Sequence, residues 1–311
     1  MIRPAAGCLT ASPAGAHLWV GVSGWTYDSW RGSFYPAALP ARRHLEYASR
    51  RFNSLEVNAS FYSLLTPETY RRWYRETPRG FRFAVKGSRF ITHNKKLKSV
   101  EAPLANYFAS GLLLLREKLG PIVWQLGPTL RFEPARLEEF LRLLPRDTRA
   151  AARLARAHDR RVEGRSWVRA DRPRRLRHAL EARDESYRDP EVARIARRYG
   201  VALVVSDSGD WPRLEEVSAD FVYIRLHGRP RTYASRYGAA ALDEWAARIR
   251  RWGAGGEPDD ARRISERRAP RRAHRDVYVY FDNDRLAHAP RDARRLACRL
   301  RGRDGRRRPI R

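Results

Sequence analysis

The segment "NSLEVNASFYSLL" (Asn53–Leu65) contains a short run in which the polar residues Glu56 and Asn58 alternate with apolar residues. Successive side chains of a β-strand point to opposite faces, so this spacing predicts a strand with Glu56 and Asn58 on one face and the apolar residues on the other. A carboxylate that faces the interior of a protein needs polar partners, because burial of an isolated charge is strongly unfavourable.

Seven further runs of apolar, β-branched or aromatic residues have similar lengths and end in polar residues or glycine. Together the eight runs occupy residues 17–25, 53–58, 81–86, 121–126, 177–183, 201–207, 221–228 and 276–283. These lengths and compositions are typical of β-strands, and the run at 177–183 has the weakest strand propensity. We therefore predict eight strands.

Most of the gaps between these runs carry helical patterns, at residues 40–52, 66–77, 107–120, 133–145, 189–200, 238–252 and 289–302. Thr66 is a candidate N-cap with Pro67 at the first helical position, and Gly120 and Gly200 are candidate C-caps. The gap at 208–219 is too short for more than a turn of helix. Strands that alternate with helices indicate a parallel sheet.

Eight strand–helix units predict an α/β fold, a single (β/α)₈ barrel, since such barrels typically have about 250 residues. A doubly wound sheet would carry a glycine-rich phosphate loop after its first strand, and "GVSGW" (Gly21–Trp25) is not that motif. We expect a flexible N-terminal extension at 1–16, the barrel at 17–301 and a basic tail at 302–311. A basic insertion at about 149–177, with an extra helix, and an Arg-rich loop at about 253–275 are expected within the barrel.

The chain is strongly basic, with a formal net charge of +29 and a pI near 11.2 over 311 residues. This charge indicates a polyanionic partner such as nucleic acid, or alternatively the arginine-rich codon usage of a GC-rich genome without selection for binding. Only Cys8 and Cys298 occur, which excludes a disulfide framework and a cysteine zinc cluster. No apolar run is long enough to span a bilayer, and the N-terminus lacks the apolar core of a signal peptide. We therefore expect a cytoplasmic protein that is not in the membrane.

Three strands end in polar pairs spaced two residues apart: Glu56/Asn58, Glu181/Arg183 and Arg225/His227. Residues between the pairs are apolar, so they suit contact with the outer helices and the pairs must face the barrel axis. Active sites of (β/α)₈ barrels lie at the C-terminal ends of the strands. The pairs form either a self-satisfied network of ion pairs or part of a site, and their clustering at one rim favours a site.

Candidate acid/base residues are Glu56, Glu181 and His227, and His227 is also suited to shuttling a proton. Candidate substrate-binding residues are Trp25, Tyr27, Asn58, Tyr62, Lys86, Gln125, Arg183, Arg225 and Asn283. Arginine and lysine at the rim favour an anionic small molecule such as a phosphate or a carboxylate. Oxygen and nitrogen ligands for a divalent metal are also present (Glu56, Glu181, Asp207, His227 and Asp282), but metal-binding spacings are absent, so we predict no metal site.

Two features near the rim each have two interpretations. Lys86 either forms a Schiff base with a substrate, as lysines do in barrel lyases, or pairs with Glu56, and we favour the ion pair. The aromatic segment "GWTYDSWRGSFYP" (Gly24–Pro36) forms either a pocket wall that stacks on a ring or sugar, or a hydrophobic plug under the rim.

Seven motifs occur in order along residues 19–300, and together they resemble the DUF72, or YecE-like, family. They are "GVSGWTYDSWRGSFYP", "LEVNASFY", "FRFAVKGSRFITH", "IVWQLGP", "HALEARDESY", "YIRLHG" and "YVYFDND". The resemblance implies a TIM barrel, and no biochemical function of the family is established. Two positions depart from the family pattern, since Asp184 stands where a histidine is common and Gly127 where a proline is common. Asp184 weakens any role for a basic group at that position.

Three hypotheses of function follow. The first is an enzyme that acts on a small anionic or phosphorylated substrate at the C-terminal rim by acid/base chemistry. The alternatives are a nucleic-acid-associated binder or phosphodiesterase-type enzyme, and a small-ligand sensor without catalysis. No motif identifies a cofactor, a reaction or an oligomeric state.

Overall fold

Eight parallel strands form one nearly closed barrel in the computed structural model, which describes residues 15–301. The strands are β1 (Leu18–Val22), β2 (Ser54–Val57), β3 (Arg82–Lys86), β4 (Leu119–Gln125), β5 (His178–Glu181), β6 (Ala202–Ser208), β7 (Phe221–Gly228) and β8 (Asp276–Phe281). They pair in the order β1-β8-β7-β6-β5-β4-β3-β2. The predicted (β/α)₈ barrel is confirmed. Residues 1–14 and 302–311, which include most of the predicted extension and all of the predicted tail, lie outside the described residues.

Helices lie between the strands and cover the outside of the barrel. They are α1 (His44–Ser49), α2 (Ala59–Tyr62), α3 (Pro67–Glu76), α4 (Glu101–Ala109), α5 (Pro134–Leu143), α6 (Thr148–Ala155), α7 (Pro190–Tyr199), α8 (Ala239–Gly253) and α9 (His288–Arg301). The extra helix predicted in the basic insertion is α6, which Asp147 caps by accepting a hydrogen bond from the Ala150 amide at 2.8 Å. None of the helices within residues 15–301 combines the length and apolar character needed to cross a membrane.

Helix ends match the sequence signals in two of three cases. Thr66 caps α3 by accepting a hydrogen bond from the Thr69 amide, and Gly200 ends α7 in the left-handed conformation with φ of 60°. The expected C-cap at Gly120 is wrong, because Gly120 lies inside β4. The left-handed glycine that follows α4 is Gly111, where a Cβ would lie 2.5 Å from Pro67 Cα of α3. Close contact between neighbouring helices therefore places this helix end nine residues before the predicted position.

The junction between β1 and β2 closes the barrel largely through side chains. The Asn53 side chain accepts a hydrogen bond from the Val20 amide at 2.9 Å and donates one to the Leu18 carbonyl at 2.8 Å. The Gly24 amide donates to the Glu56 carbonyl at 2.9 Å. A Cβ at Gly21 would lie 1.9 Å from the Ser54 carbonyl oxygen, so only glycine permits the two strands to approach this closely.

Alternation along the strands separates two apolar clusters. One fills the lower part of the barrel interior and includes Ala84, Val123 and Tyr223. The other lies between the strands and the helices and includes Val57, Ala182 and Leu226. The prediction that these three residues contact the outer layer is confirmed. The inner positions of the same strands continue upward into a layer of polar side chains.

Candidate functional site

Each of the eight strands, or the residue that directly follows it, contributes one polar side chain to a layer at the C-terminal end of the barrel. We call this layer the polar ring, and its members are Ser23, Glu56, Lys86, Gln125, Glu181, Ser206, Arg225 and Asp282. Strand register places neighbours level with one another, as in the Cα pairs Gln125–Glu181 and Ser206–Arg225 and the bridge Ser23–Glu56. Parallel strands in register direct level residues to the same face, so the ring faces the barrel axis.

Arg225 is fully buried and joins three carboxylates of the ring. Its guanidinium donates hydrogen bonds of 2.8 Å each to Glu56, Glu181 and Asp282. Glu56 also accepts hydrogen bonds from the hydroxyls of Tyr223 and Ser23. One guanidinium in this position neutralises part of a charge that would otherwise be strongly unfavourable inside the barrel.

Glu181 is buried and accepts hydrogen bonds from four groups: Arg225 at 2.8 Å, Arg183 at 3.2 Å, Ser206 at 3.1 Å and His227 at 2.9 Å. Burial opposes ionisation of this carboxyl, but Arg225 and Arg183 hold its pKa well below the usual value. Glu181 is therefore ionised at neutral pH.

His227 lies between two carboxylates at the top of β7. Its Nε2 is 2.9 Å from Glu181 and its Nδ1 is 3.2 Å from Asp282. Both carboxylates also contact Arg225, so His227 is connected to Arg225 through two contacts and to Glu56 through three. This arrangement is suited to moving a proton between the two sides of the ring.

Asp282 and Asp284 are neighbours with opposite protonation preferences. Burial opposes ionisation of Asp282, but Arg225 and His227 hold its pKa below the usual value. Burial and the charge of Asp282 raise the pKa of Asp284 well above its usual value. Asp284 therefore keeps its proton to a higher pH than Asp282 does, which places a group that favours its protonated form next to an ionised carboxylate.

Lys86 differs from the other charged members because its amine has no ion-pair partner. Within residues 15–301, no carboxylate oxygen lies within 4.0 Å of its Nζ, which is 4.2 Å from the centroid of the Phe61 ring. Burial, followed by the positive charge of Arg225, lowers the pKa of Lys86 to about 8. The expected ion pair with Glu56 is wrong, because Arg225, Tyr223 and Ser23 already occupy that carboxylate.

Arg183 lies above the ring, at the opening of the barrel that we call the mouth. Its Nη2 donates to Gln125 at 2.9 Å, Glu181 at 3.2 Å and Tyr233 at 3.2 Å. The guanidinium stacks 4.0 Å from the centroid of the Trp211 ring. Its Nε is buried and has no hydrogen-bond partner among the described residues. The side chain is thus held in place with one donor edge unused.

The mouth is electrostatically positive near Arg183. Burial and the charges of Arg183, Arg89 and Lys86 lower the pKa of the nearby His93 to about 4. His93 is therefore neutral at physiological pH. Its ring packs edge-on against Phe61 with centroids 5.2 Å apart, which places it on the same side of the mouth as Lys86. This side of the mouth attracts anions.

Several predicted site residues lie elsewhere. Trp25 packs on Trp73 and Phe83 in the outer core, so it does not line the ring. Asn283 follows the inward-facing Asp282, and Asp207 follows the inward-facing Ser206. Both side chains therefore point outward, as alternation requires. Asn283 donates to the Ser235 carbonyl and to Asp292, and Asp207 accepts from the Tyr237 hydroxyl.

Tyr27, Asn58 and Tyr62 lie around the mouth without contacting the ring to the same degree. Asn58 contacts both Ser23 at 3.2 Å and the Tyr27 hydroxyl at 3.5 Å, and Tyr62 is 69% exposed beside Phe61. The aromatic segment 24–36 mostly forms the hydrophobic plug, since Trp30 and Tyr35 are buried. Among the aromatic side chains of this segment, only that of Tyr27 reaches the polar ring.

Sequence reasoning missed Trp211, Tyr233, His93 and the separate role of Asp284. Trp211 and Tyr233 lie in the loops after β6 and β7, and their rings pack against His227 with centroids 4.9 and 5.5 Å away. An aromatic residue in a short loop that follows a barrel strand is a signal that would have identified Trp211. No comparable signal marks Tyr233, because its position depends on the fold of the whole 229–237 loop.

The ring carboxylates do not form a metal site in the part of the chain that the structure describes. No group of three or more His, Cys, Asp or Glu side chains within residues 15–301 is arranged to hold a metal ion.

The family departure at Asp184 has a local structural explanation, because Asp184 accepts a hydrogen bond from the Ser186 amide at 2.9 Å. Ser186 in turn accepts one from the Phe132 amide at 2.8 Å and joins two rim loops.

Two curated relatives are similar to parts of the chain. The UPF0759 protein YunF of Bacillus subtilis is 30% identical over 80 residues, covering 25% of this chain and 27% of that protein. The UPF0759 protein YecE of Escherichia coli (strain K12) is 32% identical over 130 residues, covering 41% of this chain and 44% of that protein. The chain thus spans less than half the length of these curated relatives.

Two solved structures share the fold over nearly the whole chain. A DUF72 family protein from Thermotoga maritima has a TM-score of 0.69 at 21% identity, covering 92% of this chain and 99% of that chain. A second, from Enterococcus faecalis, has a TM-score of 0.63 at 15% identity, covering 91% and 95%. The model of the family described as "Protein of unknown function DUF72" matches residues 19–309. The chain therefore belongs to the DUF72 family.

Proposed function

We propose that this protein is an enzyme that binds a small anionic substrate, a carboxylate or a phosphate, at the mouth and transforms it by acid/base chemistry. The observation that carries the proposal is a pair of cationic groups with unused hydrogen-bonding capacity at the mouth. Lys86 Nζ has no carboxylate partner, and Arg183 Nε is buried without a partner among the described residues. Buried donors without partners are unfavourable unless a ligand or water satisfies them.

The positions of these donors suit anion recognition. Arg225 is already engaged by three carboxylates, so it neutralises the ring rather than a ligand. Arg183 is held by Gln125, Tyr233 and Trp211, so little further side-chain ordering is needed when an anion binds. Hydrogen bonds from a fixed guanidinium to a carboxylate or phosphate are among the strongest in proteins.

Acid/base roles follow from protonation. Lys86, with a pKa of about 8, is partly neutral near pH 7.5 and serves as the base, while Asp284, whose raised pKa favours its protonated form, serves as the acid. His227 moves protons between the carboxylates on either side of it. Glu56 and Glu181 were expected to be acid/base groups, and we now assign them as positioning residues because Arg225 holds both of them within the barrel.

Substitution of Arg183 with glutamine should weaken anion binding at least tenfold, because it removes a charge-assisted hydrogen bond worth about 1.5–3 kcal/mol. Isothermal titration with phosphate, pyruvate, oxalate and citrate measures this loss. Arg183→Lys should give an intermediate affinity, and Arg188→Gln is the matched control, since that arginine is exposed and pairs with Glu185 away from the mouth.

Equal anion affinities in Arg183→Gln and Arg188→Gln would refute the proposed binding site. Each anion that binds is then incubated with the protein and followed by NMR for conversion. Binding at Arg183 without conversion of any member of a broad panel of phosphorylated compounds and carboxylates would favour the ligand-sensor hypothesis over the enzyme.

A groove on the opposite face of the barrel supports nucleic-acid binding as a second candidate function. A cavity of about 860 Å³ lies beside the segments that precede β7 and β8, and its lining includes Arg194, Arg197, Arg198, Arg267, Arg268 and Arg272. The guanidinium groups of Arg267, Arg268 and Arg272 make no hydrogen bond or ion pair with residues 15–301, and all three residues are exposed. Such a surface suits a phosphate backbone.

A salt titration with a charge-matched control tests this second function. The triple variant Arg267→Gln/Arg268→Gln/Arg272→Gln should bind a 20-base-pair DNA duplex at least tenfold more weakly at 150 mM salt, with a shallower dependence of affinity on salt. The control Arg42→Gln/Arg79→Gln/Arg153→Gln removes the same charge from exposed positions elsewhere. Equal losses in both variants would show that binding depends on overall charge and not on the groove.

A further inference from the structure

We infer that Lys86 is a covalent catalyst whose amine condenses with the carbonyl group of an anionic aldehyde or ketone held through its carboxylate or phosphate by Arg183. This inference rests on the proposed function, since it assigns a substrate class and a reaction to the same mouth. It concerns an amine that the hydrogen-bonding network of the ring leaves unused.

The contrast between the two buried lysines carries the inference. Lys118 Nζ donates to the carbonyls of Tyr74 and Thr77 at 2.6 Å each and to the Thr77 hydroxyl at 3.1 Å, so its amine is fully engaged. Lys86 is also buried, but its amine makes no hydrogen bond or ion pair with residues 15–301 and lies 4.2 Å from the centroid of the Phe61 ring. A structural lysine has the partners of Lys118, whereas Lys86 keeps its lone pair accessible once it loses a proton.

The position of Lys86 suits attack on a bound carbonyl. It is the last residue of β3, and Ala84, two residues earlier, pairs with Glu56 and lies in the interior cluster. Alternation therefore places the Lys86 side chain inside the mouth, on the same side as His93, whose pKa is lowered by the charges of both Lys86 and Arg183. The backbone carbonyl of Lys86 accepts hydrogen bonds from Ser60 and Tyr107, which fix the strand end.

Protonation of Lys86 is compatible with this role. Four charged groups of the ring act on it: Arg225 lowers its pKa, while Asp282, Glu56 and Glu181 raise it, and burial is the largest effect. The result is a pKa of about 8, so roughly a fifth of the amine is neutral at pH 7.4. An ordinary exposed lysine is neutral in only about one molecule in a thousand at this pH.

The covalent step is balanced by groups of the ring and the mouth. The neutral amine attacks the carbonyl carbon and forms a C–N bond, while Asp284 supplies a proton to the carbonyl oxygen. The resulting carbinolamine loses water as the C–O bond breaks, which leaves a protonated imine. This cation draws electrons from the adjacent carbon, so a proton there becomes acidic and is removed by a carboxylate of the ring.

The charge of the ring favours imine formation over simple loss of the Lys86 proton. Glu56, Glu181 and Asp282 together carry three negative charges, against the positive charges of Arg225 and Lys86 in the ring and of Arg183 above it. Deprotonation of Lys86 removes one of the three balancing charges. A protonated imine restores a positive charge at the same atom, so the three carboxylates stabilise the intermediate.

Reductive trapping tests the inference. The full chain is incubated with pyruvate or glyceraldehyde 3-phosphate and then with sodium borohydride, and the adduct is located by intact mass and peptide mapping. We expect one adduct per chain, on the peptide that contains Lys86, and at least tenfold less adduct in Lys86→Met and Lys86→Arg. Lys118 and the exposed Lys96 and Lys98 serve as internal controls.

The outcome separates this inference from the proposed function. Arg183→Gln should reduce trapping of the two anionic probes at Lys86 at least fivefold more than it reduces trapping of acetaldehyde there. Adducts confined to surface lysines, in a protein whose Arg183 binds anions, would overturn the Schiff base and leave the anion site standing. Trapping at Lys86 that is insensitive to Arg183→Gln would support the amine chemistry and remove Arg183 as the anion clamp. Circular dichroism of each variant verifies that the fold is retained.

Discussion

Replacement of Arg225 with methionine should lower the free energy of unfolding by about 3–5 kcal/mol, the range observed when one partner of a buried ion pair is removed. Arg225 contacts Glu56, Glu181 and Asp282 at 2.8 Å each, and its side chain is fully buried. Without it, three carboxylates remain inside the barrel with fewer cations, and the Glu56 and Glu181 side chains are fully buried. Urea denaturation at pH 8 measures the loss.

The pH dependence of this variant identifies the cause. In the native chain, Glu181 and Asp282 have lowered pKa values, so they contribute stability above pH 4 that is lost as the pH falls through those values. Without Arg225 their pKa values should rise above those of the unfolded chain. The difference between variant and native chain should therefore shrink between pH 8 and pH 5.

Arg198→Met is the control, because that arginine is largely exposed and pairs with Glu138. It should change the free energy of unfolding by less than about 1 kcal/mol. Two results would contradict the view that Arg225 neutralises the ring. One is a change of less than about 1 kcal/mol in the free energy of unfolding of Arg225→Met, and the other is a loss of stability that does not depend on pH.

Glu181→Gln should cost about 3 kcal/mol of stability and weaken anion binding roughly tenfold. Glutamine has the shape of glutamate, but it replaces one acceptor oxygen with a donor that faces Arg225, Arg183 or His227. The stability falls because donors then meet donors in a dry interior. The affinity falls because Arg183 loses one of the groups that orient it.

A double-mutant cycle with Arg225→Met separates these effects. Because the two residues share a 2.8 Å contact, the double variant should be less destabilised than the sum of the single variants, with a coupling energy of about 1–3 kcal/mol. Glu185→Gln, an exposed carboxylate that pairs with Arg188, should show no coupling to Arg225→Met. Additive losses for Glu181 and Arg225 would contradict the network.

Much of the fold follows from local pattern. Eight short apolar runs coincide with eight strands, including β5, whose propensity is weak and whose position depends on the strands around it. The three polar pairs were recognisable because a period of two places both members on one face, and burial then requires them to meet. The Gly120 helix end was not recoverable, since contact between α3 and Gly111 sets it.

The details of the site depend on which donor pairs with which acceptor in the folded structure. Lys86 and Arg225 are both cations near Glu56 in sequence-based reasoning, yet only the three-way geometry of Arg225 satisfies Glu56, Glu181 and Asp282 together. Lys86 is left without a partner as a result. Side-chain alternation along β8 directs Asp282 toward the ring and Asn283 away from it. A position at the end of a strand does not reveal which of two consecutive residues faces inward.

Mutations at the junction between β1 and β2 can change the shape of the barrel more directly than mutations at the other junctions. Elsewhere, neighbouring strands are joined by main-chain hydrogen bonds, which almost any sequence can supply. Here the side-chain amide of Asn53, which directly precedes β2, bonds to the Val20 amide and the Leu18 carbonyl of β1 across the gap. A single substitution at position 53 can therefore loosen or tighten this closure. Evolution can in this way alter the width of the mouth while the other seven strand junctions stay unchanged.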